Sequence, residues 1–156
     1  MIRIITGNIN SGKTAYLRRL YAASQKGDGI LSVKYFVDGV FAGYDLLHLK
    51  SGEQRPFIRL KDEIPEGWTE IFTTGKYSFS EEGFRFAETL LQNTTEAPVY
   101  IDEIGPLEIE RKEGFYHLLK TFADTGRDLI LSVRESMLDE MIRMFFYDKE
   151  IEIITP

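Results

Sequence analysis

The segment IRIITGNINSGKTAYL, from Ile2 to Leu17, constrains the fold more than any other part of this 156-residue chain. A short apolar run enters a loop rich in glycine and asparagine. The loop feeds a stretch in which Leu17, Leu20 and Tyr21 recur at helical spacing. Strand, loop and helix are predicted in that order. Gly7, Gly12, Lys13 and Thr14 match G-x-x-x-x-G-K-[ST] without a gap. A loop of this kind wraps its backbone N–H groups around phosphate oxygens, at a helix N-terminus whose dipole also favours anions. The candidate phosphate-binding residues are therefore Gly7, Asn8, Ile9, Asn10, Ser11, Gly12, Lys13, Thr14 and Ala15. Lys13 is expected to reach the β- and γ-phosphates as a catalytic cation, and the Thr14 hydroxyl to bind Mg²⁺. An ordinary βα turn with a solvated lysine is the competing reading; the flanking strand and helix favour the phosphate loop.

Further along, GILSVKYF reads as a strand, and VFAGYDLLHLK and EQRPFIRL as two extended segments joined at Ser51-Gly52. These predict an inserted β-hairpin at about 40–60, with Pro56 marking its second strand as an edge. GKYSF adds a short strand. Ser80 is a predicted N-cap for a helix carrying Phe84, Ala87, Leu90 and Leu91 on one face. VYIDEIGPLE as an apolar strand with carboxylates at its end, a helix with Phe115, Leu118, Leu119 and Phe122, and the strand LILSV come next. A last helix capped by Ser136 and a final strand, IEIIT, complete the chain. Strands alternating with helices imply an α/β fold with a mostly parallel, three-layered sheet, whose ligands bind beyond the carboxyl ends of the strands. Hydrophobic residues are 43% and charged residues 28%, a globular composition, and one domain spanning 1–156 is expected.

In VYIDEIG, Asp102 follows a strand at the place where a phosphate-loop protein needs a carboxylate for Mg²⁺. The next residue, Glu103, is placed to activate a water against the γ-phosphate. Capping or solvation of the strand end is the competing reading for both. GNINSGKTAYL, GYDLLHLKSGEQRPF, GKYSFSEEGF and above all DEIGPLE together resemble the small P-loop nucleoside-triphosphatase family that includes the human cancer-related nucleoside-triphosphatase. The resemblance runs from Ile2 to about Thr155. It implies Mg²⁺-dependent hydrolysis of ATP, GTP and other nucleoside triphosphates with weak base discrimination. It also implies a RecA-like sheet in which the strand ending at Val133 lies between the phosphate-loop strand and the Asp102 strand. Family loops often carry a further glycine where this chain has Ile9 or Asn10.

With the Val133 strand central, Arg134 at its end faces the γ-phosphate as a candidate catalytic arginine; pairing with Glu135 or Asp139 is the alternative. Lys34 is a weaker phosphate candidate. Tyr35, Phe36, Phe41 and Tyr44 admit a base-stacking wall, although strand aromatics more often pack. His48 and His117 lack a local set of metal ligands. A net charge of -6 argues against nucleic-acid binding, and no apolar run approaches the ~20 residues that span a bilayer. The N-terminal segment lacks a signal-peptide pattern, which predicts a cytoplasmic location. Two other functions share the same loop: a nucleotide or nucleoside kinase, and a slow nucleotide-dependent switch that recruits a partner.

Overall fold

The computed structural model describes residues 1–156. β1 (Ile2–Gly7) runs through the glycine loop into α1 (Lys13–Ser24). β2 (Asp28–Val37), β3 (Val40–His48) and β4 (Gln54–Leu60) form an antiparallel meander. A second hairpin, β5 (Glu70–Thr74) and β6 (Tyr77–Ser80), leads into α2 (Glu81–Asn93). Strands and helices then alternate: β7 (Val99–Ile104), the short α3 (Pro106–Ile109), α4 (Tyr116–Asp124), β8 (Leu129–Arg134), α5 (Leu138–Phe145) and β9 (Ile151–Ile154).

All nine strands belong to one sheet, ordered β5-β6-β4-β3-β2-β7-β8-β1-β9. Only β3 and β6 run against the others, so the sheet is mostly parallel in direction. β8 lies between β1 and β7, as the RecA-like arrangement requires. Helices cover both faces. Leu17 of α1 packs on Ile5, Leu31, Tyr100 and Ile130, while α2, α4 and α5 bury Phe84, Leu91, Leu119, Phe122, Met141 and Phe145 against the opposite face. A parallel strand covered on both sides must be apolar on both, which is why Leu129–Val133 is buried throughout with Ser132 as its one polar residue.

The β3–β4 hairpin sits where its sequence places it, but it is embedded in a larger antiparallel extension that includes β5 and β6. Pro56 therefore does not mark an edge: β4 lies between β3 and β6. The proline is tolerated because it sits opposite Asp45 beside a bulge, and the β4–β6 ladder covers only Ile58–Leu60. Arg59 pins this extension. Its Nη2 donates to Asp45 Oδ1 at 2.8 Å, and its guanidinium lies 3.7 Å from the centre of the Tyr35 ring. Tyr35 is thus a packing residue on the face away from Lys34 and Phe36. Ser80 caps α2 as predicted, its Oγ accepting from Gly83 N at 3.1 Å. Ser136 does not cap α5; a 3₁₀ turn over Glu135–Met137 precedes that helix, and Met137 holds the cap position without a side-chain bond.

Candidate functional site

The phosphate loop joins the carboxyl end of β1 to the N-terminus of α1. Gly12 stands at the helix cap with φ 89°, a left-handed conformation that suits glycine. Asn10 also lies in the left-handed region, φ 62°. Asparagine enters that region more readily than most residues, so Asn10 takes a backbone conformation usually left to glycine. No side chain caps α1 and its first turn holds no acid, which leaves the helix N-terminus open to an anion. Lys13 is 4% exposed, and its Nζ donates to Asn8 O at 2.9 Å and Gly7 O at 3.3 Å.

Asp102 and Glu103 are brought to the loop by a β-bulge. Ile101 pairs with Leu131 and Ile104 with Val133, so Asp102 and Glu103 together oppose Ser132 alone. In a regular strand consecutive side chains point to opposite faces; here Glu103 adopts φ 65°, and both carboxylates serve one cleft. Ser132 stitches the bulge, donating from Oγ to Asp102 Oδ1 and accepting from Glu103 N at 2.7 Å. Asp102 Oδ2 accepts from Thr14 Oγ1 at 2.7 Å and from Ser32 N at 3.1 Å. Burial pushes the Asp102 carboxyl above the ordinary carboxylate range, opposed by its bonds to Ser132, Thr14 and Ser32 and by the Lys13 charge. Glu103 is also raised, first by desolvation inside the cleft and then by Asp102, while Lys13, Arg134 and Lys34 oppose the shift. Mg²⁺ takes hard oxygen ligands, commonly one or two carboxylates with phosphates and waters. The Thr14 hydroxyl and Asp102 carboxylate, already in contact, fit that requirement.

Two connected cavities surround these groups. One of about 410 Å³ is lined by residues 9–15, Arg18, Lys34, Glu103 and Arg134, and it is the phosphate-loop chamber. The other, about 600 Å³, lies beyond Asp102 and Glu103 beneath the antiparallel extension. Arg134 and Lys34 line both. Arg134 forms no ion pair with Glu135 or Asp139, and its charge is felt at Glu103 and Tyr44. Phe36, Phe41 and Tyr44 line the larger cavity. Tyr44 stands at the junction, where burial, Tyr77 and Glu103 push its hydroxyl up to about 12. His48 is structural: its Nε2 meets Asp28 Oδ1 at 2.7 Å and its Nδ1 meets Ser51 Oγ at 2.7 Å, bracing the hairpin.

Glu108 explains part of the DEIGPLE segment. Its Oε1 accepts from Gly105 N at 3.1 Å and its Oε2 from Phe115 N at 3.0 Å, tying the turn after β7 to the start of α4. Gly114 is required beside it, since a Cβ there would lie 2.0 Å from Glu108 Oε2. Burial pushes Glu108 from 4.5 up to about 7, against its bonds to Phe115 and Gly105. A carboxyl whose pKa is raised by folding stabilises the fold below its unfolded value, and that stability is lost as pH rises through the folded value. Glu108 should therefore contribute stability at pH 4.5 that is lost by about pH 7, on the order of 3 kcal/mol. In Glu108→Gln that part of the slope should vanish, leaving an offset independent of pH. Urea denaturation of both proteins at pH 5 and pH 8 checks this; equal slopes would remove Glu108 as the titrating group.

Comparison with known proteins agrees with this geometry. No curated protein matches the chain. Among solved structures, the crystal structure of THEP1 from the hyperthermophile Aquifex aeolicus has a TM-score of 0.68 at 19% identity, covering 100% of this chain and 91% of that one. The solution structure of a human cancer-related nucleoside triphosphatase has a TM-score of 0.62 at 18% identity, covering 99% of this chain and 88% of that one. At such identities the likeness is one of fold. The family model described as NTPase matches residues 3–155, almost the whole chain. The chain belongs to the NTPase family.

Proposed function

We propose that this NTPase hydrolyses nucleoside 5′-triphosphates at the γ-phosphate with Mg²⁺, discriminating weakly among bases, within one domain. The observation that carries the reading is the 2.7 Å bond between Thr14 Oγ1 and Asp102 Oδ2, which joins the phosphate loop to the carboxylate bulge in one cleft. Backbone N–H groups of Gly7–Ala15 and the N-terminus of α1 hold the phosphates. Lys13 balances charge on the β- and γ-phosphates. Thr14 and Asp102 are the residues that would hold Mg²⁺, which would neutralise charge developing on the phosphate oxygens. Glu103 takes a proton from the attacking water, and Arg134 meets the charge of the transferred group. Weak base selectivity is expected because the sequence holds no motif that reads a base edge. A buried set of base-directed hydrogen bonds is what strong discrimination needs.

Phosphate release from ATP, GTP, CTP and UTP under Mg²⁺ titration tests the proposal. Wild type should turn over all four within modest ratios. Asp102→Ala should raise the Mg²⁺ concentration for half-maximal activity by about 10–100-fold at saturating nucleotide, because an outer-shell carboxylate tunes metal affinity by that much. An unchanged Mg²⁺ dependence would strip Asp102 of the metal role.

A further inference from the structure

Most of the larger cavity extends beyond the groups assigned to hydrolysis, while Asp102, Glu103 and Arg134 line its near end. At about 600 Å³ it falls within the usual range for small-molecule sites. It shares Ile9, Asn10, Ser32, Lys34, Tyr44, Glu103 and Arg134 with the phosphate-loop chamber and extends from there beneath β2, β3, β4 and β6. Lys13, Thr14, Asp102 and Glu103 mark the γ-phosphate end of a triphosphate held by the loop. The nucleoside of that triphosphate then lies at the opposite end, toward the first two turns of α1, where Ala15 and Arg18 line the chamber. A molecule in the large cavity therefore faces the γ-phosphorus from the side on which a nucleophile arrives.

The lining states what that molecule is. Phe36, Phe41, Tyr77, Phe79, Phe84 and Phe115 supply aromatic walls. Phe36 is 52% exposed, an unusual condition for a phenylalanine that only packs. Lys34 and Arg134 line both chambers and Lys76 the larger one alone; none of the three belongs to an ion pair, and they face the carboxyl groups of Asp102, Glu103 and Glu108 in the same lining. Flat rings favour a planar base, and unpaired cations beside a bound triphosphate favour a second anion. Without them, two phosphates held close together would repel.

Resting on the phosphate-loop assignment above, we propose that this chamber binds a nucleoside monophosphate as a second substrate, which accepts the γ-phosphoryl group in place of water. A non-bridging oxygen of the acceptor's phosphate forms a bond to the γ-phosphorus. The bond from that phosphorus to the β–γ bridging oxygen breaks, and the bridging oxygen keeps the electron pair, leaving as the terminal oxygen of a nucleoside diphosphate. The acceptor becomes the second diphosphate. A phosphate monoester is largely a dianion above its second pKa of about 6, so the attacking oxygen carries no proton and none moves. Water must lose a proton in the corresponding step. Glu103 is thus needed for hydrolysis and dispensable for transfer.

The experiment titrates AMP, GMP, CMP and UMP calorimetrically into protein saturated with Mg²⁺ and a non-hydrolysable triphosphate analogue, which keeps the phosphate loop filled. In parallel, transfer from γ-labelled ATP is followed together with free phosphate. At least one monophosphate should bind and become labelled. Lys76→Glu and Phe36→Ala, both in the large chamber alone, should each weaken its binding by about 10-fold or more while phosphate release without acceptor stays at the wild-type rate. Glu103→Gln should lose phosphate release and keep transfer. Phosphate release with no binding by any of the four overturns the acceptor chamber and leaves the hydrolase standing; absence of release, transfer and binding overturns both. Binding indifferent to Lys76→Glu and Phe36→Ala, or transfer that falls with release in Glu103→Gln, also overturns the acceptor proposal.

Discussion

Glu103→Gln is expected to lower single-turnover hydrolysis by about 10²–10⁴-fold while binding of a non-hydrolysable triphosphate analogue stays the same or tightens. The glutamine amide has nearly the shape of the carboxylate and can still hydrogen-bond a water, but it cannot take the proton. The bulge makes the effect specific to this position. Glu103 owes its place in the cleft to a backbone φ of 65° and to the bond from its N–H to Ser132 Oγ, and glutamine keeps both. Its environment also prepares it as a base, since desolvation and the adjacent Asp102 raise its carboxyl above the ordinary carboxylate range, which strengthens it as a proton acceptor. The triphosphate remains held by Lys13, Thr14 and Asp102, and removing one negative charge beside it favours binding. Rapid-quench hydrolysis beside equilibrium binding of the analogue separates the two effects. Turnover near wild type would dismiss Glu103 as the base and direct attention to Arg134.

A phosphate loop was legible because its whole signal is local: two glycines, a lysine and a threonine at fixed spacing between a strand and a helix. Asp102 and Glu103 were legible as residue types at a strand end. Their shared orientation was not, since strict alternation would send consecutive side chains to opposite faces, and the bulge that prevents this depends on Ser132 from another strand. Ser32 gave a faint signal as a polar residue inside an apolar run, and its backbone N–H rather than its hydroxyl reaches Asp102. Glu108 is not singled out by the sequence, although it ends the DEIGPLE segment that carries the family resemblance. Its partners Gly105 and Phe115 lie on either side of a turn whose path the local pattern does not set. β5 was missed because EIFTT is short and half-buried along its length, and its pairing with β6 supplies the regularity that periodicity lacks. Pro56 misled for the complementary reason: a proline reports that one N–H is missing, and a bulge within the sheet accommodates that as well as an edge does. The large cavity is assembled from β2, β3, β4, β6 and the segment after β7, so only topology could bring its aromatic rings together.

Lys13→Ala should reduce turnover by about 10²–10³-fold and weaken triphosphate binding, with the fold retained. The size of the effect comes from position rather than charge alone. Lys13 is the first residue of α1, 4% exposed, and its ammonium is held over the loop by the carbonyls of Asn8 and Gly7, so it is a preorganised cation that need not be gathered from solvent when a phosphate arrives. Removing it strips charge compensation from the β- and γ-phosphates where negative charge builds as the bridging oxygen leaves. Binding suffers less than turnover, since the backbone N–H groups and the open N-terminus of α1 continue to hold the phosphates. The fold should survive because the side chain packs in neither apolar core. Calorimetric titration with a Mg²⁺-bound analogue, phosphate release at saturation and thermal unfolding without ligand distinguish these quantities. Loss of turnover with an unchanged unfolding midpoint is the expected pattern. Unchanged affinity and turnover would refute the assignment of Gly7–Ala15 as the phosphate loop, and a collapse of the unfolding midpoint would show that Lys13 serves the fold.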